Sequence, residues 1–310
     1  MAEYSVVGKS LPRIEGPAKA TGVTRFAGDI TLPRQLWGRI LGSSHAHARL
    51  LNVDTRRAER LPGVKAVISG KDTGGRKYAY TPDMVDQYPL AVEKVRHIGE
   101  AVAAVAAVDE DTAQEALDLI HVEYEPLPAI FDYLEAMKPG APPVHDVERN
   151  IARTLREHFG NVDQAFPASF HERTDVFVTQ ALVNGALEPH AAMASLGAEG
   201  HVTVWASTQG PFKLRKYLAE TLGLEESLIR VIKPAVGGGF CGKSGMFSSD
   251  YCSTLLSLRT GRPVRIALSR EEVFFNCGGR MPMVIELRTG VDRDGRFVAV
   301  DYKLAAENGA

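Results

Sequence analysis

The stretch with the clearest potential for chemistry is Gly237-Gly-Gly-Phe-Cys-Gly-Lys-Ser244. Glycines lack a Cβ, so the backbone N–H groups of such a loop can approach a ligand closely. Two nucleotide-binding patterns, GxGxxG and GxxxxGK[ST], can both be read in it, and the second ends on Lys243 and Ser244. A P-loop-type NTP-binding protein, either an ATPase or a GTPase, is therefore one hypothesis.

The surrounding sequence argues against a nucleotide loop. A phosphate-binding loop leads straight into a helix, whereas the capping residues here, Ser248 and Ser249, come later and place Gly245 in the way. The hydrophobic string that ends on Asp301 belongs to a predicted hairpin with alternating polarity, not to a buried parallel strand. A tight turn that binds no ligand is a further alternative.

The elements around the loop alternate between strands and helices. Glycines that follow two predicted helices, Gly223 and Gly261, are typical of helix C-termini. The turn Asp292-Arg-Asp-Gly295 indicates a hairpin near the end of the chain. The pattern predicts strands at 202–208, 229–232, 264–268, 285–291 and 297–304, and helices at 212–222 and about 248–260.

The first part of the chain has the same mixed character. It has predicted strands at 64–68, 101–108 and 121–125 and a helix at 109–120, and a proline-rich stretch that begins at Pro126 is typical of a linker. We therefore predict an α+β (mixed α/β) fold. Its first domain spans 1–125, a linker spans 126–147, and a second domain spans 148–310.

Composition excludes several classes of protein. The chain has 310 residues, 45% hydrophobic and 24% charged, and its formal net charge of -2 provides no basic field for nucleic acid or an anionic membrane. No secretory signal and no apolar run long enough for a membrane span is evident, so we expect a cytoplasmic location. Three cysteines, Cys241, Cys252 and Cys277, without a CxxC motif argue against a disulfide framework or a cysteine-bound iron–sulfur cluster.

Many segments along the chain resemble the molybdenum hydroxylases, that is, xanthine dehydrogenase, aldehyde oxidase and their bacterial relatives. The resemblance runs in one collinear order through nearly the whole chain. It implies an α/β hammerhead domain followed by the first part of a molybdopterin-binding domain. Besides the glycine loop, the matching segments are Arg13-Ile-Glu-Gly-Pro-Ala-Lys-Ala-Thr-Gly22, Phe26-Ala-Gly-Asp29, His45-Ala-His-Ala-Arg49, Leu61-Pro-Gly-Val64, Ile98-Gly-Glu100, Glu123-Tyr-Glu-Pro-Leu-Pro128, Gly185-Ala-Leu-Glu-Pro189, Trp205-Ala-Ser-Thr-Gln-Gly210, Thr260-Gly-Arg-Pro-Val264 and Leu268-Ser-Arg-Glu-Glu272.

The resemblance implies hydroxylation of carbon with oxygen from water, in an enzyme that holds molybdenum on a pyranopterin. The cofactor and solvent would ligate the metal, so no protein ligands are expected. Gln209 would stand beside the metal and donate a hydrogen bond to an oxo ligand, and Phe240 would form a wall of the substrate site. The cofactor-binding residues implied are Gln209, Gly238, Gly239, Phe240, Cys241 and Gly242.

Two residues depart from the family pattern. Cys241 stands where many relatives have a glycine, and Ser244 stands where purine-oxidising members have a glutamate. A serine cannot supply a charged hydrogen bond to a purine, so xanthine is disfavoured as the substrate. Aldehydes, N-heterocycles and aromatic substrates remain open. The pair His45 and His47 lacks a third ligand, and we interpret it as structural rather than as a metal site.

The family's catalytic glutamate, a general base, has no counterpart before Ala310. Either the molybdenum subunit is split between two chains, which we favour, or the chain is truncated. The expected partners are a second molybdenum-subunit chain carrying that glutamate, a 2Fe–2S subunit and an FAD subunit, with molybdopterin cytosine dinucleotide as the form of the cofactor. The alternatives are an NTP-binding protein that would be sensitive to Lys243→Ala and a non-catalytic scaffold subunit.

Overall fold

The computed structural model describes residues 4–79, 85–276, 278–307 and 309. Cys277 lies outside the described residues, and so do Met1–Glu3, the first residues of the N-terminal segment that lacks a secretory signal. The strands are β1 Leu36–Gly42, β2 Ala48–Asp54, β3 Val64–Ser69, β4 Lys94–Val95, β5 Ala101–Ala107, β6 His121–Pro126, β7 His171–Thr179, β8 Ala191–Leu196, β9 Val202–Ala206, β10 Ile229–Ile232, β11 Val264–Ala267, β12 Met283–Val291 and β13 Phe297–Ala306. The helices are α1 Gly16–Ala20, α2 Arg56–Glu59, α3 Glu110–Asp118, α4 Tyr133–Ala136, α5 Val162–Ala165, α6 Pro211–Leu222, α7 Ser248–Thr260 and α8 Arg270–Asn276.

The largest sheet has seven strands in the order β10-β9-β8-β11-β1-β5-β3, so it takes strands from both parts of the chain. Strand β1 joins the two parts, because it pairs in parallel with β11, Leu36 opposite Val264, and antiparallel with β5. Every residue of β5 is buried, as its unbroken apolar run predicts. The division of the chain into separate domains stays a prediction.

Helices α6 and α7 bury apolar side chains in the main core of the protein. Leu214 and Leu218 of α6 are fully buried, as are Cys252 and Leu256 of α7. Burial of the Cys252 thiol raises its pKa, and the Asp250 carboxyl nearby raises it further. The long buried face of α7 fixes the position of its first residue, which follows shortly after the glycine loop.

Both predicted helix ends are confirmed, but the predicted capping residues of α7, Ser248 and Ser249, are wrong. Gly223 and Gly261 adopt left-handed conformations at the C-caps of α6 and α7. The N-cap of α7 is Phe247, and its N–H donates to the Asp250 carboxylate at 2.9 Å. A carboxylate in the first turn therefore reaches back over the helix start, and Ser248 and Ser249 lie inside the helix.

Two smaller sheets have three strands each, in the orders β13-β12-β7 and β4-β2-β6. The hairpin β12–β13 confirms the predicted turn, in which Gly295 has φ +78° and its N–H donates to the Asp292 carbonyl at 3.1 Å. His45 and His47 lie in the loop between β1 and β2. The His47 Nδ1 lies 2.8 Å from the Pro128 carbonyl oxygen and the His45 ring stacks on Tyr124, which are structural contacts.

Within the described ranges, no helix has the length and apolar character that a membrane crossing requires. The cellular location of the protein stays a prediction.

Candidate functional site

The glycine loop closes on itself through a tight turn. The Gly242 N–H donates to the Gly239 carbonyl at 2.7 Å. The two residues between them, Phe240 at φ +49° and Cys241 at φ +70°, both have left-handed backbones. Two consecutive positive φ values are the signature of a type I′ turn, which usually takes asparagine or glycine. The loop therefore holds a strained conformation, and the Phe240 side chain is 63% exposed at its tip.

The loop presents a row of unpaired backbone donors. The N–H groups of Gly238, Gly239, Phe240 and Cys241 donate to no acceptor in the part of the chain that the structure describes. Gly238, at φ +97°, and Gly239 have no side chain of their own to screen these N–H groups, and Gly239 is buried against the Gln209 side chain. Successive N–H groups of this kind form a concave site for anionic or oxygen-rich groups.

Gln209 lies three residues after the end of β9 and contacts the far end of the loop. Its backbone N–H donates to the Lys243 carbonyl at 2.8 Å. Its side-chain Oε1 accepts from the Lys243 N–H at 3.4 Å and from the Ser244 hydroxyl at 3.5 Å. The loop thereby orients the amide. The Nε2 of Gln209 has no acceptor among the described residues, and the side chain is exposed.

The loop and Gln209 approach each other too closely for a side chain at Gly239. A Cβ built there would stand 2.4 Å from Gln209 Cδ and 2.5 Å from Oε1. A Cβ at Gly238 would stand 3.1 Å from the Phe240 ring. The glycines at these two positions thus let the loop backbone, the amide and the aromatic ring converge.

A short segment before β8 supports both ends of the loop. The Glu188 carboxylate accepts from the Gly237 N–H at 2.7 Å and from the Lys243 ammonium at 2.8 Å. The Glu188 backbone N–H donates to the Gly237 carbonyl at 3.2 Å, and its carbonyl accepts from Lys243 Nζ at 2.9 Å. One residue therefore contacts both ends of the loop.

His190 contacts the loop two residues further along the chain. Its Nε2 lies 2.8 Å from the Gly242 carbonyl oxygen, and its ring packs against Phe247 with centroids 4.2 Å apart. Burial, together with the nearby Lys243 and Arg270 charges, lowers the pKa of His190 to about 4. The imidazole is therefore neutral at pH 7, and we assign its N–H to Nε2, where it donates to the carbonyl.

These contacts exclude the nucleotide-binding alternative for Lys243. A P-loop lysine extends towards phosphates, whereas the Lys243 side chain is only 1% exposed and is ion-paired with Glu188. Helix α7 begins at Ser248, so it does not continue from the loop as a phosphate-binding helix does. Asp301 lies in the hairpin strand β13, away from any buried parallel strand.

The structure brings the residues singled out in the sequence into one site. Gln209, the loop and Ser244 are in contact, and Cys241 is exposed at the turn. Sequence reasoning missed the supporting roles of Glu188 and His190. A matching segment, Gly185-Ala-Leu-Glu-Pro189, was evident, but its contacts with the loop span about 50 residues and leave no local pattern.

The donors at this site fit an oxygen-rich cofactor rather than a metal ion held by side chains. Among the described residues, no group of three or more His, Cys, Asp or Glu side chains is arranged to hold a metal. The row of unpaired N–H groups, with no side chains at Gly238 and Gly239, fits the phosphate and pterin oxygens of a molybdopterin. Gln209 supplies one directed donor beside them.

Comparison with protein-family models matches two parts of the chain. Residues 144–310 match the molybdopterin cofactor-binding domain. Residues 21–128 match the a/b hammerhead domain of aldehyde oxidase and xanthine dehydrogenase. The two models together cover most of the chain, in the order that the sequence resemblance predicts.

Individual relatives agree with the family models. The chain is 35% identical over 313 aligned residues to the nicotinate dehydrogenase large molybdopterin subunit of Eubacterium barkeri, covering 99% of this chain and 72% of that subunit. It is 30% identical over 307 residues to the molybdenum-binding subunit of xanthine dehydrogenase from Escherichia coli, covering 96% of this chain but 41% of that one. It therefore spans under half the length of some relatives and most of the length of another.

Solved structures show the same fold. Carbon monoxide dehydrogenase from Oligotropha carboxidovorans superposes with a TM-score of 0.86 at 31% identity, covering 96% of this chain and 39% of that one. Quinoline 2-oxidoreductase from Pseudomonas putida 86 gives a TM-score of 0.87 at 30% identity, with the same coverage. The chain thus belongs to the xanthine dehydrogenase and aldehyde oxidase family of molybdopterin-dependent oxidoreductases, as a molybdopterin-binding subunit.

Proposed function

We propose that this chain contributes part of the molybdenum site of a multi-subunit hydroxylase, with Gln209 and the glycine loop as its share of the site. The observation that carries the proposal is the convergence of Gln209 with a row of four unpaired backbone N–H groups. Two kinds of donor therefore lie side by side, one from a side chain and one from the backbone. A molybdopterin bound there would supply two-electron redox chemistry with water as the source of oxygen.

In this proposal each residue has a separate task. Gly238, Gly239, Phe240 and Cys241 bind the cofactor through the backbone. Gly242, whose N–H closes the turn onto the Gly239 carbonyl, holds that backbone in place. Gln209 orients the cofactor by donating from Nε2, because its Oε1 already accepts hydrogen bonds from the loop. An amide suits this task, since it donates in a fixed direction and does not titrate. Phe240 packs beside the substrate and excludes water from one side.

The substrate class follows from Phe240 and Ser244. An exposed aromatic ring favours planar or apolar substrates, and the Ser244 hydroxyl is a neutral group where a purine would need a charged partner. Ser244 also donates to Gln209, so it lies at the edge of the same site. We propose an aldehyde, an N-heterocycle or another aromatic compound as substrate, and not a purine.

The proposed site is completed by a second molybdenum-subunit chain that carries a glutamate as general base. Gln209, Phe240 and Cys241 are all exposed in this chain, so an enclosed substrate pocket requires further residues above them. The sheet β7–β12–β13 offers a surface for such a partner, because Val300, Tyr302 and Leu304 are 45–60% exposed on one face of β13. We further propose 2Fe–2S and FAD subunits for electron transfer and molybdopterin cytosine dinucleotide as the cofactor.

The same proposal assigns the parts of the chain. Residues 1–125 form the hammerhead domain, 126–147 a linker, and 148–310 the first part of the molybdopterin-binding domain. The matched family ranges, 21–128 and 144–310, support a boundary in this region. The sheet shared by both parts would keep them in a fixed relation.

The test is purification of the untagged protein from its native host, with metal analysis and identification of the co-purifying chains by mass spectrometry. We expect molybdenum and iron in near-stoichiometric amounts, a cytosine nucleotide released on acid hydrolysis, and a second large chain. A metal-free chain that purifies alone would contradict the proposal. Magnesium-dependent binding of ATP to that chain, abolished by Lys243→Ala, would revive the nucleotide-binding alternative.

A further inference from the structure

The glycine loop has little internal structure to hold it in place. One backbone hydrogen bond, Gly242 N–H to the Gly239 carbonyl, closes its turn. The N–H groups of residues 238–241 find no acceptor among the described residues. A loop that offers its donors to a ligand must therefore be fixed by contacts outside those donors.

Those outside contacts meet at Glu188 and Lys243. The Glu188 carboxylate binds both the Gly237 N–H and the Lys243 ammonium, at 2.7 and 2.8 Å. Each of these two contacts is reinforced by a second one. The Glu188 N–H donates to the Gly237 carbonyl, and the Lys243 Nζ donates to the Glu188 carbonyl. The ion pair thus joins the two ends of the loop to each other as well as to the segment before β8.

The burial of this pair indicates a role other than simple stabilisation. The side chains are 1% exposed for Lys243 and 10% for Glu188. A buried ion pair gives less stability than well-packed apolar side chains of the same volume. The Oε1 of Glu188 is also buried without a hydrogen-bond partner among the described residues, which is a further cost. What the pair provides is a fixed distance between the loop ends.

The charges beneath the loop do not attract an anionic cofactor themselves, so the loop binds it through its backbone N–H groups. The Lys243 charge is neutralised by Glu188, and His190 is neutral because burial lowers its pKa to about 4. No net charge from the ion pair or from His190 therefore competes with the N–H row for an anionic group. The contribution of this loop to cofactor affinity then depends on how well its backbone donors are placed.

We infer that Glu188 and Lys243 are positioning residues, which hold the ends of the loop so that its backbone donors fit the molybdopterin. The inference rests on the proposed function of the loop. Lys243 occupies the position of a P-loop lysine in the sequence pattern. By this inference, it binds Glu188 beneath the loop instead of contacting phosphate.

The test uses the assembled protein from its native host and three variants, Glu188→Gln, Lys243→Met and the double variant. Each single variant leaves a buried charge or a buried carboxylate without its partner, so its apparent Tm should fall. The double variant removes both charges at similar volume, so its Tm should return close to that of the wild type. Its molybdenum and pterin content should nevertheless stay about 10-fold or more below that of the wild type, because the tie to the Lys243 end is absent.

A matched control breaks an exposed ion pair in the same chain. Arg259→Met removes the contact with Asp72 and should leave both Tm and cofactor content unchanged. A double variant that recovers both properties would show a merely structural pair and overturn the inference, as would one that stays as unstable as the single variants. Wild-type protein without molybdenum would instead overturn the proposed function, and the inference with it.

Discussion

The backbone of Gly239 lies directly against the side chain of Gln209, with no room for a methyl group between them. A Cβ at position 239 would stand 2.4 Å from Gln209 Cδ. Contacts this short do not occur between real carbon atoms, so either the loop or the amide must move. The relationship joins the two halves of the candidate site, and it makes the orientation of Gln209 depend on a glycine 30 residues away.

Gly239→Ala should therefore displace Gln209 and lower the turnover of the holoenzyme roughly 100-fold, by loss of one directed donor. The matched control is Gly210→Ala, where the added Cβ would meet its neighbours at 3.5 Å, an ordinary contact. Steady-state kinetics and circular dichroism of both variants test this expectation. Equal activity in the two variants would show that Gln209 tolerates displacement.

Two substitutions of Gln209 separate its donor from its acceptor. Gln209→Glu keeps an oxygen for the Lys243 N–H but removes the Nε2 donor, whereas Gln209→Ala removes both. If the donor matters to the reaction, both variants should lose about 100-fold in kcat. The measurement is kcat at saturating substrate, with molybdenum content determined for each preparation. A Gln209→Glu variant of normal activity would limit the residue to holding the loop.

Cys241→Gly should stabilise the protein. Cys241 has φ +70°, a backbone conformation that costs a residue with a side chain about 1 kcal/mol and costs glycine nothing. We expect the free energy of unfolding to rise by about that amount. Cys241→Ala is the control, because it keeps a Cβ and hence the strain. Denaturant unfolding of the two variants checks the difference, and a gain shared by both would attribute the effect to the thiol instead.

The buried His190 should make stability fall in acid. Its pKa is lowered to about 4 in the folded protein from an ordinary value of 6.5, first because of burial. Between these two values the unfolded chain binds the proton more readily, so stability present above pH 6.5 is lost as the pH falls to about 4. The loss amounts to roughly 3 kcal/mol.

The comparison variant is His190→Gln, whose amide can still donate to the Gly242 carbonyl but does not titrate. Asp250 acts in the opposite direction, because burial raises its pKa to about 7, and this contribution is common to both proteins. The difference between the two unfolding curves from pH 7 to pH 4 therefore isolates His190. Parallel curves would mean that the imidazole is solvated in the folded state.

Local signals in the sequence predicted the fold where one residue determines the backbone. The ends of α6 and α7 follow from Gly223 and Gly261, and the hairpin follows from the turn that ends at Gly295. The capping residue of α7 was mispredicted, because the helix is already capped at Phe247, whose N–H donates to the Asp250 carboxylate. Which residue caps a helix depends on backbone and side-chain geometry, which a sequence pattern does not contain.

The candidate site was predicted through a resemblance and through the glycines, and its support was not predicted. Glu188, Lys243 and His190 contact the loop only because distant segments of the chain come together in the fold. Ionisable side chains are usually expected at the surface, but these three are buried. Lys243 is the clearest case. The sequence places it in a phosphate-binding pattern, and the fold turns it into the interior.

The pairing of β1 with β11 also has a consequence for synthesis on the ribosome. One edge of β1 pairs with β5, which is made soon after it. The other edge pairs with residues 264–266 of β11, which leave the ribosome about 230 residues after β1. At typical rates of translation this delay lasts roughly 10–50 seconds. Throughout it, a buried strand exposes an open edge to other nascent chains, which is the condition that favours aggregation. We therefore expect that overproduction at reduced temperature, or with a co-produced chaperone, raises the yield of folded protein.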